Sequence, residues 1–213
     1  MTHQIRPRST AMDSVDCYGV ARRSICSSPT QTGYVEITPK RVDNGTVSVF
    51  LNEQATIGLT VEAKGPSGQF VFDETKDKKI VLIAAGSGIT PMISILRYID
   101  DRCLPTDATL IYSVRSRNDI IFEKEFVNLK LRMNNFRYVV ALSRPDAEWK
   151  GPNGRLNRVM IEENVKDMAS STFFLCGPKP FMESAREILL SLGVDDSRIK
   201  RESFGGAVMI EQA

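Results

Sequence analysis

The sequence predicts an α/β protein, a doubly wound five-stranded parallel sheet preceded by a small, truncated antiparallel β unit. Three observations carry this. After Lys79, continuous apolar runs alternate with amphipathic helical segments, the rhythm of a parallel sheet covered on both faces. Before Glu74 the segments are short, rich in β-branched residues and separated by turn formers. Between the first buried run and the first helix lies Gly86-Ser87-Gly88, a tight strand–turn–helix junction.

In the first half, residues 24–28, 34–38, 61–63 and 69–72 are expected as strands. Ser28-Pro29, Asp43-Asn44-Gly45 and Gly65-Pro66-Ser67-Gly68 punctuate them. Residues 1–20 contain no clear strand and are expected as an unassigned tail, with the partial β unit over 21–76. The α/β domain is expected over 77–206, with a short tail over 207–213. Its strands fall at 80–85, 109–114, 137–142, 172–176 and 199–204. The first helix spans 91–100, with Met92, Ile95, Leu96 and Ile99 at helical spacing. Phe122, Phe126, Leu129 and Met133 mark a second, residues 158–163 a short third, and Met182, Ala185, Ile188, Leu189 and Leu192 a fourth.

Composition excludes several classes. The net charge of +2 lacks the clustered basic face of a nucleic-acid binder. Cys17, Cys26, Cys103 and Cys176 are too far apart for an iron–sulfur or zinc site. A single histidine, His3, argues against triad and histidine-based zinc chemistry, so the protein must take its chemistry from a cofactor or have none. Apolar runs fall well short of the roughly 20 residues that span a bilayer, and the start lacks a secretory apolar core. The expected location is cytoplasmic.

Ligands of a doubly wound sheet sit at the carboxyl ends of its strands. Three motifs lie there. Gly86-Ser87-Gly88-Ile89-Thr90-Pro91 would let a phosphate approach the backbone at a helix start, with a ligand-free turn as the alternative reading. Ser113, Arg115, Ser116 and Arg117 follow the second strand, where NAD-type folds place an acidic residue. Those arginines suit the 2′-phosphate of NADP(H), without excluding NADH or plain solvation. Cys176-Gly177-Pro178 ends the fourth strand, with Met182 one turn into the following helix.

Together these motifs resemble the ferredoxin-NADP reductase family. The resemblance implies that Gly86 to Pro91 form the pyrophosphate loop. It also implies that Cys176, Gly177, Pro178 and Met182 border the nicotinamide of NADP(H) or NADH. Gly45-Thr46-Val47-Ser48 is similar to the family's flavin-pyrophosphate turn, in which the Val47 amide and Ser48 hydroxyl would donate. Gly65 to Phe70 resemble the loop leaving the FAD-binding β-barrel, and Arg201-Glu202-Ser203-Phe204 its ending, with Phe204 covering the ring. The isoalloxazine strand Arg-x-Tyr-Ser is altered. Ser24 fits the serine, but Arg23 stands where tyrosine belongs and Ala21 where arginine belongs. Alternatively, a Tyr-Ser pair is missing after Ser24 and Arg22 supplies the phosphate contact.

The resemblance implies a catalytic set of Ser24 near flavin N5, Cys176 near nicotinamide C4 and Glu202 as a proton relay. The implied reaction is hydride transfer from NAD(P)H to FAD, then single electrons to an iron–sulfur acceptor. A plant-type [2Fe–2S] domain would need a C-x₄-C-x₂-C run that this chain lacks, so that partner is expected elsewhere. The alternative is a dinucleotide-binding module, or a gene fragment, with a vestigial flavin half.

Overall fold

The computed structural model describes residues 3–5, 24–63 and 68–202. The main sheet contains β3 (Lys79–Ala85), β4 (Asp107–Val114), β5 (Phe136–Leu142), β6 (Thr172–Cys176) and β7 (Ile199–Glu202), all parallel, in the order β5-β4-β3-β6-β7. The chain winds outward from β3 through β4 to β5. It then crosses back to lay β6 on the other side of β3. This reversal puts the switch point, where doubly wound sheets bind ligands, at the carboxyl ends of β3 and β6.

Successive β3 residues alternate between two cores. Ile80, Leu82 and Ala84 face one side, with Leu110, Tyr112, Phe174 and Cys176. Helix α2 (Ile89–Asp101) covers this side with Met92, Ile93, Leu96 and Ile99, beside Phe126 and Leu129 of α3 (Glu123–Arg132). Val81, Ile83, Ile111, Phe173 and Leu175 face the other side. There Ile161 of α4 (Arg158–Asn164) and Met182, Ala185 and Leu189 of α5 (Lys179–Ser191) pack on them. Burial on both faces is why these strands read as unbroken apolar runs rather than alternating ones.

The N-terminal unit differs from expectation in four places. First, His3–Ile5 is a strand, β1, paired antiparallel with β2 (Val35–Ile37), where no strand was expected. Three residues are too few to show a period, so a distant partner decides their conformation. Second, the segments at 61–63 and 69–72 are irregular, not strands. Phe70 and Phe72 spend their apolar surface on the α/β domain instead, edge-on to Phe174 and Tyr98. Third, Thr46–Glu53 forms a helix, α1, starting at the Gly45 turn. Fourth, the expected strand at 24–28 is reduced to one bridge, Ile25 to Ile37, and a bond from the Cys26 amide to the Glu36 carbonyl. Among the described residues no helix is long and apolar enough to cross a membrane.

Candidate active site

The two glycine turns at the switch point are built against each other. Gly86 has φ of +55°, a left-handed conformation that β-carbons disfavour. A β-carbon on Gly88 would lie 2.1 Å from the Cys176 carbonyl oxygen, so no side chain fits between the β3 and β6 turns. Thr90 is buried, and its hydroxyl donates to the Ser87 carbonyl at 2.9 Å, tying the turn to the first turn of α2. Pro91 occupies that same turn, where its missing N–H costs nothing. The buried Tyr112 hydroxyl donates to the Gly86 carbonyl at 2.9 Å. Burial keeps this phenol protonated by pushing its pKa up. Tyr112 sits inside an apolar strand, so nothing local in the sequence marks its role.

The surroundings of this turn are cationic. The Lys40 ammonium, from the N-terminal unit, stands 3.8 Å from where a Gly86 β-carbon would be. It pairs with Asp119 at 3.8 Å, and the Ser116 hydroxyl bond to Asp119 is the main reason that carboxyl titrates low. Beyond Ser113 at the end of β4, Arg115 and Arg117 are exposed. An open cleft of about 400 Å³ is lined by Ser116, Arg117, Asn118, Arg144, Pro145 and Asp146. The Arg117 guanidinium stacks 5.5 Å from the Trp149 ring. Lys40, Arg144 and Trp149 join Arg115 and Arg117 only through the fold. A glycine cradle with these cations fits an anionic dinucleotide.

The three expected catalytic residues converge. Cys176 and Glu202 are partners across β6 and β7, and the Ser24 hydroxyl donates to Glu202 at 3.1 Å. That bond bridges 178 positions of sequence. Cys176 is fully buried; burial first, then the Glu202 carboxylate, raises its thiol pKa and keeps it neutral. Gly177 is buried against Ala85 and Phe181, and Pro178 caps α5. Met182 is buried with Ala185 and Leu189 on the core-facing stripe of α5, one turn after Pro178.

On the flavin side, a β-carbon on Gly45 would meet the Ser48 Oγ at 2.5 Å. The buried Ser48 hydroxyl accepts from the Val42 amide and donates to the Gly45 carbonyl, so it shapes the turn itself. Val47, half-buried in the first turn of α1, has no intrahelical acceptor for its amide, which suits a phosphate. Arg22, Arg23 and Phe204, and residues 65–67 of the barrel-exit loop, lie outside the described residues.

Paired glycine turns at the switch point, joined to a unit with a further tight glycine turn, fit a flavin- and dinucleotide-binding oxidoreductase fold. Comparison with known proteins agrees. Residues 82–187 match the oxidoreductase NAD-binding domain, and residues 15–72 match the oxidoreductase FAD-binding domain. The chain belongs to the ferredoxin-NADP reductase family of FAD- and NAD-binding oxidoreductases. It is 34% identical to the glycine betaine monooxygenase reductase subunit of Chromohalobacter salexigens, over 85% of this chain and 50% of that one. It is 32% identical to a stachydrine N-demethylase reductase subunit of Rhizobium meliloti, over 85% and 52%. The chain therefore spans about half the length of the curated relatives it matches. Among solved structures, the FAD/NAD-binding domain of nitric oxide dioxygenase from Vibrio cholerae superposes with a TM-score of 0.77 at 26% identity. That superposition covers 96% of this chain and 83% of the other.

Proposed function

We propose that the chain is the reductase part of an electron-transfer system, passing a hydride from NAD(P)H to FAD and then single electrons to an iron–sulfur acceptor. The observation that carries this is the meeting of Ser24, Cys176 and Glu202 at the switch point, directly behind the Gly86–Gly88 turn. A binding-only module would have no need of that convergence across the two units. The relatives named as reductase subunits of a monooxygenase and a demethylase favour the same reading.

Bound flavin supplies the hydride-accepting and one-electron chemistry. The chain's residues supply position and electrostatics. Ser24 presents a hydroxyl from the flavin side, fixed in direction by the Glu202 carboxylate. Glu202 accepts that hydrogen bond and is placed to hold or pass a proton at its carboxylate. Cys176, kept neutral, lines the crevice floor with a compact apolar sulfur and adds no charge beside the transfer path. Arg115, Arg117 and Arg144 hold the adenosine end, and their charge suits a 2′-phosphate as well as the pyrophosphate. By the family resemblance, Arg22, Arg23 and Phe204 would complete the flavin contacts. Dependence on NAD(P)H supports a cytoplasmic location.

The test is the visible spectrum of the purified chain with FAD, before and after NADPH or NADH. A band near ~450 nm, at roughly one flavin per chain, that bleaches with dinucleotide supports the reductase. A chain that binds dinucleotide and takes up no flavin refutes it.

A further inference from the structure

Helix α2 serves two places at once. Its first turn closes the Gly86–Gly88 turn, and later turns hold the N-terminal unit. The Ser94 hydroxyl donates to the Ser27 carbonyl at 2.8 Å. One turn further, Arg97 Nη1 donates to the Cys26 carbonyl at 2.7 Å and to Glu36 Oε2 at 2.6 Å. The other edge of the guanidinium forms a two-bond fork with Glu125 of α3, at 2.6 and 2.8 Å. Its face lies 5.4 Å from the Phe122 ring.

This node is well shielded. The Arg97, Glu36 and Glu125 side chains are 20%, 12% and 26% exposed. Its two carboxylates come from different units, Glu36 from the N-terminal unit and Glu125 from the α/β domain. Phe122, under the guanidinium, holds φ of +63°, a left-handed conformation that a non-glycine residue adopts only when its surroundings hold it there. The start of α3 is therefore held by the same node. Lysine cannot reproduce the arrangement, because a single ammonium has no planar fork.

Ser24 lies two residues before Cys26, on the segment that Arg97 grips. A slip of one residue would move that segment by about 3.3 Å. The Ser24 bond to Glu202, already 3.1 Å long, would not survive it. We propose that Arg97 is the positioning residue for the reaction: by docking residues 24–28 on α2, it sets Ser24 against Glu202 and the dinucleotide turn. What Ser24 serves rests on the reductase reading above; that Arg97 places it does not.

The test compares the wild type with Arg97→Gln, Arg97→Lys and a control, Arg132→Gln. The control removes an exposed pair with Asp100 between the same two helices. Amide hydrogen exchange without cofactor should speed up at least tenfold over residues 24–37 in Arg97→Gln. It should not change there in the control, and β3 and β4 should stay protected in every variant. In the flavin-loaded protein mixed with NADH, the limiting rate of flavin reduction should fall at least tenfold in Arg97→Gln. The Kd for NADH should stay within threefold, and Arg97→Lys should restore the rate only in part. If Arg97→Gln does not fold, Arg97→Lys carries the same comparisons. Unchanged exchange over 24–37, or a rate that falls only in step with Kd and Tm, overturns the proposal. If the wild type takes up no flavin, the reductase reading fails, while the exchange comparison still decides the docking role.

Discussion

Gly88 and Cys176 show how single residues define the crevice. The carbonyl that follows the Cys176 side chain occupies the space a Gly88 β-carbon would need. Gly88→Ala must push two turns apart, at the upper end of the roughly 1–3 kcal/mol that overpacking costs. We expect a lower Tm and loss of dinucleotide binding in a titration; normal binding would show that the turns are not closed on each other. The second buried thiol gives a pH prediction. Burial pushes Cys26 up to about 11 from its ordinary 9.0, with Thr38 partly offsetting this. The folded pKa lies above the unfolded one, so this contribution to stability is fully present below about pH 9. It is lost as pH rises toward about 11. Urea midpoints should therefore fall across that window in the wild type and fall less in Cys26→Ala.

At the scale of elements, the proposed reading puts the choice of dinucleotide in the loops after β4 and β5. Arg117 lies over the ring of Trp149, whose indole N–H is itself fixed on the Pro152 carbonyl at 3.0 Å. A pre-oriented guanidinium loses little freedom on meeting a phosphate. Arg117→Ala should raise the KM for NADPH about tenfold, roughly one charge-assisted contact, and that for NADH by less than threefold. Steady-state kinetics with both dinucleotides checks this, and equal losses would place Arg117 at the shared pyrophosphate. Element α1 carries a different lesson. Its sequence, Thr46-Val47-Ser48-Val49-Phe50, is β-branched and strand-like, yet it is helical because Gly45 and the buried Ser48 hydroxyl close a turn at its start.

Across the whole molecule, the polar contacts between the N-terminal unit and the α/β domain include two branched clamps. One is Arg97 with Glu36 and Glu125. The other lies where residues 68–77 run into β3. There Lys200 of β7 pairs with the buried Asp77 at 2.8 Å, donates to the Val71 carbonyl and stands 4.8 Å from the Phe174 ring. Removing the lysine charge leaves a buried carboxylate without its partner. Breaking such pairs costs about 3–5 kcal/mol, and the part-exposed Lys200 places this one at or below the lower end. Lys200→Met should lower the urea midpoint accordingly, and Asp77→Asn with Lys200→Met should recover part of the loss. No recovery in the double variant would mean that the pair is not coupled.

The α/β alternation, the order of the motifs and both glycine turns were legible in the sequence. Buried parallel strands must be continuously apolar, and tight strand-to-helix turns must be glycine, so local residues carry both signals. Ser24, Cys176 and Glu202 were grouped as one set by the family resemblance, but the Ser24–Glu202 hydrogen bond was not legible in the sequence. The tertiary structure alone decided the partners. It set Ser24 on Glu202, Lys40 over Gly86, Arg97 between two units, and β1 beside β2. It also took Met182 into the core, left the expected strand at 61–63 irregular and exposed, and turned the one at 69–72 into irregular cover for the sheet. Those outcomes depend on contacts between residues far apart in the chain, which leave no period, spacing or turn signature in the residues themselves.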